Sequence, residues 1–347
     1  NTLTVSNVET ITGGASTDLV TFGAAVTGAT VDLGAGADRL VLDAAGATVT
    51  VSNTETITGD AGDDAVVLSG TVTGATIDLG AGDDTLTFGA ALQTVTVSNV
   101  ETIVGGASAD TLVIGAALTG GSIDLAGGLD KLTLGAFVNT VTVSNVETIT
   151  GAASADDVTL GAVVTASTID LAGGADTLTF TDAATVQVSN VETIVGSDAA
   201  DDVTIVGAFT GGSIDLGDDD DVLVLDDAVN TLTVSNVETL TGGFSDDLVT
   251  LGVATTGATI NLGEGDDTLN LGDSGATVTV AGVETITGGD ADDVVTYFGN
   301  ITNSTVDLGD GNDTLILKTA STVTVFNVET ITGGASADDV TLGTVIT

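Results

Sequence analysis

The chain of 347 residues contains no cysteine, histidine, methionine, tryptophan or proline, and only three basic residues, Arg39, Lys131 and Lys318. Without cysteine there is neither a disulfide framework nor a thiolate zinc site. Without histidine or cysteine, the softer transition metals have little to bind. The same absences remove the side chains most used as general base or nucleophile. Three cations cannot neutralise a phosphate backbone, so nucleic acid is not an expected partner. No apolar run approaches the length of a bilayer span, and no membrane insertion is expected. No signal-peptide pattern opens the chain. It starts inside a repeat at Asn1-Thr2-Leu3 with no initiator methionine, as expected of a segment of a longer chain.

What is present is acidic and apolar together. Asp and Glu total 50, giving a formal net charge of −47, yet 42% of residues are hydrophobic. A disordered acidic tail would be far poorer in apolar residues. The chain can therefore bury a core, but it must manage severe self-repulsion, and a cation is expected to be part of the folded state. The apolar set is Val, Ile, Leu and Ala beside abundant Thr, which favours strands over helices.

Repetition dominates the sequence. Val-Ser-Asn-Val-Glu-Thr-Ile occurs at 5–11, 97–103 and 143–149, with variants at 51–57, 188–194, 234–240, 280–286 and 325–331. Its glutamates, Glu9, Glu55, Glu101, Glu147, Glu192, Glu238, Glu284 and Glu329, are spaced by 45 or 46 residues. No linker interrupts the series, so residues 1–347 are read as one continuous array of seven full repeats and a partial one. Each unit has two similar halves, typified by residues 101–115 and 76–89, in which a Gly-rich turn leads to an aspartate and a short alternating segment.

Those aspartates form a second ruler. In the first halves they are Asp18, Asp64, Asp110, Asp156, Asp201, Asp247, Asp293 and Asp338; in the second halves Asp38, Asp84, Asp130, Asp176, Asp221, Asp267 and Asp313. Their spacing alternates between 20 and about 26 residues, which predicts two coils per unit of about 46 residues, one short and one long. Period-two alternation places Val95, Val97, Ile77, Leu79, Leu86 and Phe88 inside, with Thr94, Thr96 and Asp78 outside. Such short segments bury their apolar faces by stacking, so the expected fold is all-β, a parallel β-solenoid.

The turns resemble the RTX nonapeptide, G-G-x-G-x-D-x-U-x with U a large apolar residue, which forms a calcium-binding parallel β-roll or β-helix. Residues 105–113, GGASADTLV, resemble it with Ser108 in place of a glycine, and residues 79–87, LGAGDDTLT, with Leu79 in place of another. Asp218-Asp219-Asp220 and Asn312 depart from the pattern within the turn. The resemblance implies multiple calcium ions at the fifteen aspartates, and a bacterial secreted or cell-surface setting. Elementary chemistry points the same way. Carboxylates one strand spacing apart, about 5 Å, repel by about 3 kcal/mol at an effective dielectric of 20. A hard cation that accepts six to eight oxygens, backbone carbonyls included, turns that repulsion into attraction, and calcium fits better than magnesium. The competing reading is that the aspartates cap turns.

The Asn of the repeated string is expected to form a stacked amide ladder with a gap at Gly282, and its Glu a solvated row or further cation ligands. Acid pairs recur in every unit, whereas an active site would be a singular departure from the repeat, so no enzyme activity is expected. The sequence thus suggests an extracellular, calcium-stabilised structural protein: a surface fibre, surface layer or adhesin stalk that forms a homopolymer by head-to-tail stacking. The alternative is an adhesin module recognising ice or glycan through an exposed Thr/Asn ladder.

Overall fold

The structure, a computed structural model, describes residues 1–299 and 301–343. Every regular element among them is a β-strand. The chain divides into two compact units, Asn1–Leu178 and Thr179–Thr347, and each is built in the same way. The first opens with β1 (Thr2–Val5), β2 (Thr10–Gly14), β3 (Leu19–Phe22), β4 (Val26–Gly34), β5 (Arg39–Val41), β6 (Ala47–Ser52) and β7 (Thr56–Asp60). β1 pairs in parallel with β3, β3 with β5 and β5 with β7. β2 pairs with β4, and β4 with β6. Each strand bonds to the next but one. One turn of chain therefore crosses one sheet and then the other, and climbs one strand spacing, about 4.8 Å. This is the expected parallel β-solenoid. The alternation continues to Val164–Ala172 in the first unit and from Ala184–Ser189 to Asp339–Leu342 in the second.

The repeat is finer than its aspartates suggested. Paired residues lie 20 apart between β3 and β5 (Leu19 with Arg39) and 17 apart between β5 and β7 (Arg39 with Thr56). From Glu9 to Glu55 the chain passes through five strands, β2 to β6. Two sheets shared among an odd number of strands place successive repeats on opposite sheets. The 46-residue unit is thus two and a half turns rather than two. The 20-residue step from Asp18 to Asp38 is one full turn. The 26-residue step from Asp38 to Asp64 is a full turn to Glu55 and a half-turn across to the other sheet.

The core is a column of aliphatic side chains. Val95, Val97, Ile77, Leu79, Leu86 and Phe88 are all buried, as alternation predicts. The single tyrosine, Tyr297, is fully buried and donates its hydroxyl to the Val283 carbonyl at 3.1 Å. Threonine is common on both outward faces, but the columns are interrupted: Arg39 is paired between Leu19 and Thr56.

Coil stacking also fixes one glycine. Gly13, Gly59, Gly105, Gly151, Gly196, Gly242, Gly288 and Gly333 occupy equivalent places in all eight units. At Gly59 a Cβ would collide with the Leu79 carbonyl one coil on and press against the Asp64 carboxylate. Gly14, the next residue in the first repeat, is under no such constraint: a Cβ there meets nothing within 4 Å, and Ala152 occupies the equivalent place in a later repeat. Gly59→Ala is therefore expected to destabilise the fold by more than about 2 kcal/mol, and Gly14→Ala to stay within about 0.5 kcal/mol of the parent chain. Urea unfolding of the two variants checks the pair.

Candidate functional site

The ladder aspartates sit immediately before strands, where the chain leaves a tight turn. A parallel ladder would pair the Asp64 N–H with the carbonyl of the residue before Asp84, but the turn has taken that carbonyl away. Asp84 Oδ1 takes its place and accepts the Asp64 N–H at 2.7 Å. The Asp64 carbonyl still receives the Thr85 N–H at 2.8 Å in the ordinary way. A buried N–H left without an acceptor costs about 1–3 kcal/mol, so every coil needs such an oxygen.

In five repeats the pattern is seen across three inter-coil gaps. The Ala47 N–H donates to Asp64 at 2.7 Å, Asp64 to Asp84, and Asp84 to Glu101 Oε2 at 2.9 Å. In the next unit Gln93 donates to Asp110, Asp110 to Asp130, and Asp130 to Glu147, at 2.6–2.7 Å. Asp18 donates to Asp38, and Asp38 to Glu55. Asn139 donates to Asp156, and Asp156 to Asp176. In the second compact unit the same order runs Ala184, Asp201, Asp221, Glu238; then Asn230, Asp247, Asp267, Glu284; then Ala276, Asp293, Asp313, Glu329. Asp338 accepts the Gly334 N–H at 3.3 Å. All the predicted aspartates except Asp338 are buried. Because units alternate between sheets, the ladders stand on two opposite edges, and Asp18 and Asp64 never meet.

Capping is thus observed, but it uses only half of each carboxylate. In Asp38, Asp84, Asp130, Asp221, Asp267 and Asp313, Oδ1 accepts a backbone N–H while the buried Oδ2 has no donor. These are the middle carboxylates, with an acidic side chain one coil before and another one coil after. Among the first-half positions, Oδ2 leans back to a turn amide in Asp201, from Ser197 at 2.9 Å, and in Asp110, from Gly106 at 3.4 Å, while the buried Oδ2 of Asp64, Asp156, Asp247 and Asp293 has no donor. Burial pushes the carboxyls of Asp64, Asp130 and Asp313 up to about 6, and those of Asp221 and Asp267 to about 7. Asp84, Asp110, Asp156, Asp201, Asp247 and Asp293 are raised for the same leading reason. Among the described residues no three acidic side chains converge as a ready-made metal cage. A cation here would take one or two carboxylate oxygens and complete its shell from turn carbonyls and water.

The Asn residues do not stack on one another. Asn53, Asn99, Asn145, Asn236 and Asn327 adopt left-handed φ between 47° and 54°. Each donates its amide at 2.7 Å to an aspartate on the preceding coil: Asp32, Asp78, Asp124, Asp215 and Asp307. The expected amide ladder is therefore a set of separate Asn–Asp hooks, because equivalent Asn residues alternate between edges. Where Gly282 replaces the Asn, with φ 54°, Asn261 replaces its aspartate, so both halves of the hook are missing together. Glu55, Glu101, Glu147, Glu238, Glu284 and Glu329, expected as a solvated row or further cation ligands, are the last rungs of the ladder. Their spacing of 16 or 17 residues from the preceding aspartate is the signal available in the sequence.

A raised folded-state pKa sets the direction of the pH dependence. The folded chain holds protons that the unfolded chain, with Asp near 3.9, releases. In chelator, this contribution is complete below about pH 4 and is lost as pH rises through 6 to 7. The melting temperature of the cation-free protein should therefore rise by about 5 °C or more between pH 7.5 and pH 5, as followed by circular dichroism. A fall over that interval would contradict the buried, half-satisfied carboxylates.

Scans against family models, curated proteins and solved structures found no match for this chain. The likeness to RTX turns rests on the turn residues alone.

Proposed function

We propose that the chain is a calcium-stabilised structural solenoid of the cell exterior, acting as a surface fibre, surface layer or adhesin stalk rather than as an enzyme. The observation that carries this reading is the row of buried carboxylate oxygens that have no donor, in a chain of net charge −47 with three basic residues. Each of those oxygens needs a proton or a cation. As pH rises above 7 the proton is lost, and calcium suits sites made from single carboxylates, turn carbonyls and water. Affinities in the range of extracellular calcium modules, about 10⁻⁴–10⁻³ M, match the fluid outside cells, not the cytosol. In this reading all fifteen aspartates take part. Head-to-tail stacking of copies, strand edge on strand edge, completes the reading.

Calcium titration of chelator-treated protein tests the proposal. Melting temperature is expected to climb by about 10 °C or more at millimolar calcium, because several sites bind only the folded chain. Strand content and melting that ignore both calcium and chelator would remove calcium from the reading. Electron microscopy at high calcium should show filaments, and monomers alone would remove the stacking.

A further inference from the structure

The ladder turns are not equivalent, and the difference lies in the residue just before each aspartate. In four turn pairs the earlier of these outer residues is non-acidic: Thr17 and Ala37, Ala109 and Leu129, Ala155 and Ala175, Ala200 and Asp220. In three turn pairs the outer residues are Asp63 and Asp83, Asp246 and Asp266, and Asp292 and Asn312. There the earlier residue's Oδ1 accepts the later residue's N–H: Asp83 to Asp63 at 3.0 Å, Asp266 to Asp246 at 2.9 Å, and Asn312 to Asp292 at 2.8 Å.

These bonds run opposite to the inner ladder. The inner carboxylates of Asp84, Asp267 and Asp313 reach back to the N–H groups of Asp64, Asp247 and Asp293, each at 2.7 Å. The outer carboxylates of Asp63, Asp246 and Asp292 reach forward. An inner and an outer carboxylate therefore enter the same gap between two coils from opposite sides. The inner member of each pair is 0–1% exposed, and its Oδ2 has no donor. The turn brings a carbonyl to the same gap. A Cβ on Gly82 would lie 3.0 Å from the Gly62 oxygen, and one on Gly311 would lie 2.8 Å from that of Ala291. The outer charges are felt inside: Asp63 helps to raise Asp84, Asp246 to raise Asp267, and Asp292 to raise Asp313.

We infer that Asp63 with Asp84, Asp246 with Asp267, and Asp292 with Asp313 form three two-carboxylate clamps that bind a divalent cation, calcium, more tightly than the remaining ladder positions. Each clamp supplies two negative charges held in place by backbone amides, and turn carbonyls and water complete an oxygen shell suited to calcium. The other gaps supply the inner carboxylate without a forward-reaching partner. The inference rests on the proposed calcium-dependent reading and adds a hierarchy to it.

The test is calorimetric titration of the full, chelator-treated chain with calcium chloride. A class of about three sites is expected, on the order of tenfold tighter than the rest. The variant D63N/D246N/D292N keeps every outer acceptor oxygen and should lose that class while its circular dichroism stays strand-like. A charge-matched control, D157N/D202N/D339N, alters exposed aspartates on strand faces and should retain it. Ala109→Asp, opposite the half-satisfied Asp130, should raise the number of tight sites from three to four. Equal losses in the clamp variant and the control, or a single uniform class in the parent chain, would overturn the clamps while leaving calcium binding intact. A parent chain that shows neither heat nor a calcium-dependent melting shift would overturn the clamps together with the reading beneath them.

Discussion

Everything in this solenoid depends on one backbone donor per coil. A chain that turns tightly and then starts a parallel strand presents its first N–H to a place where the neighbouring coil's carbonyl has turned away. Asp64 meets that need with Asp84 Oδ1, and Asp84 in turn with Glu101 Oε2. The side chain must be short, must carry an oxygen, and must leave the turn at the right residue, so aspartate recurs at the head of strand after strand. The glycine five residues before Asp64 belongs to the same requirement, because a side chain there would press on the carboxylate.

Solving the donor problem with carboxylates creates a charge problem. Each acid is buried beside another one coil away, and an amide satisfies only one of the two oxygens in the middle members. An asparagine could serve the donor with a carbonyl oxygen and no charge, as Asn139 does for the Leu118 N–H at 3.1 Å. The chain nevertheless keeps aspartate at all fifteen inner positions. Amide capping alone does not require that choice. Under the calcium reading proposed above, the extra charge is what the cation binds.

Much of this was legible in the sequence, and the limits have physical causes. Period two in stretches such as Thr94-Val95-Thr96-Val97 fixed which side chains face inward, because only one face of each strand can be buried. The aspartates marked the strand starts, because the missing acceptor occurs only there. The number of coils per unit is not legible from the aspartates because the third full-turn rung is a glutamate. Counting aspartates alone passed over Glu55, and the half-turn that follows was hidden in the 26-residue step. The Asn–Asp hook is hidden in the sequence because its members, Asn53 and Asp32, lie 21 residues apart in segments that look unrelated until the coils are stacked. The joint replacement at Gly282 and Asn261 was the one trace of it in the sequence.

The half-turn has a consequence for how such a chain can vary in length. Both sheets accept the same five-strand run, so a unit gained or lost leaves every later strand with a partner while exchanging the two faces. Length is then free to change one unit at a time, without caps tailored to a phase. Display is more restricted. Whatever one unit shows on a given edge returns to that edge only at every second unit, five coils on, a period of about 24 Å. Two copies lying side by side would have to match that spacing, or sit half a period out of step.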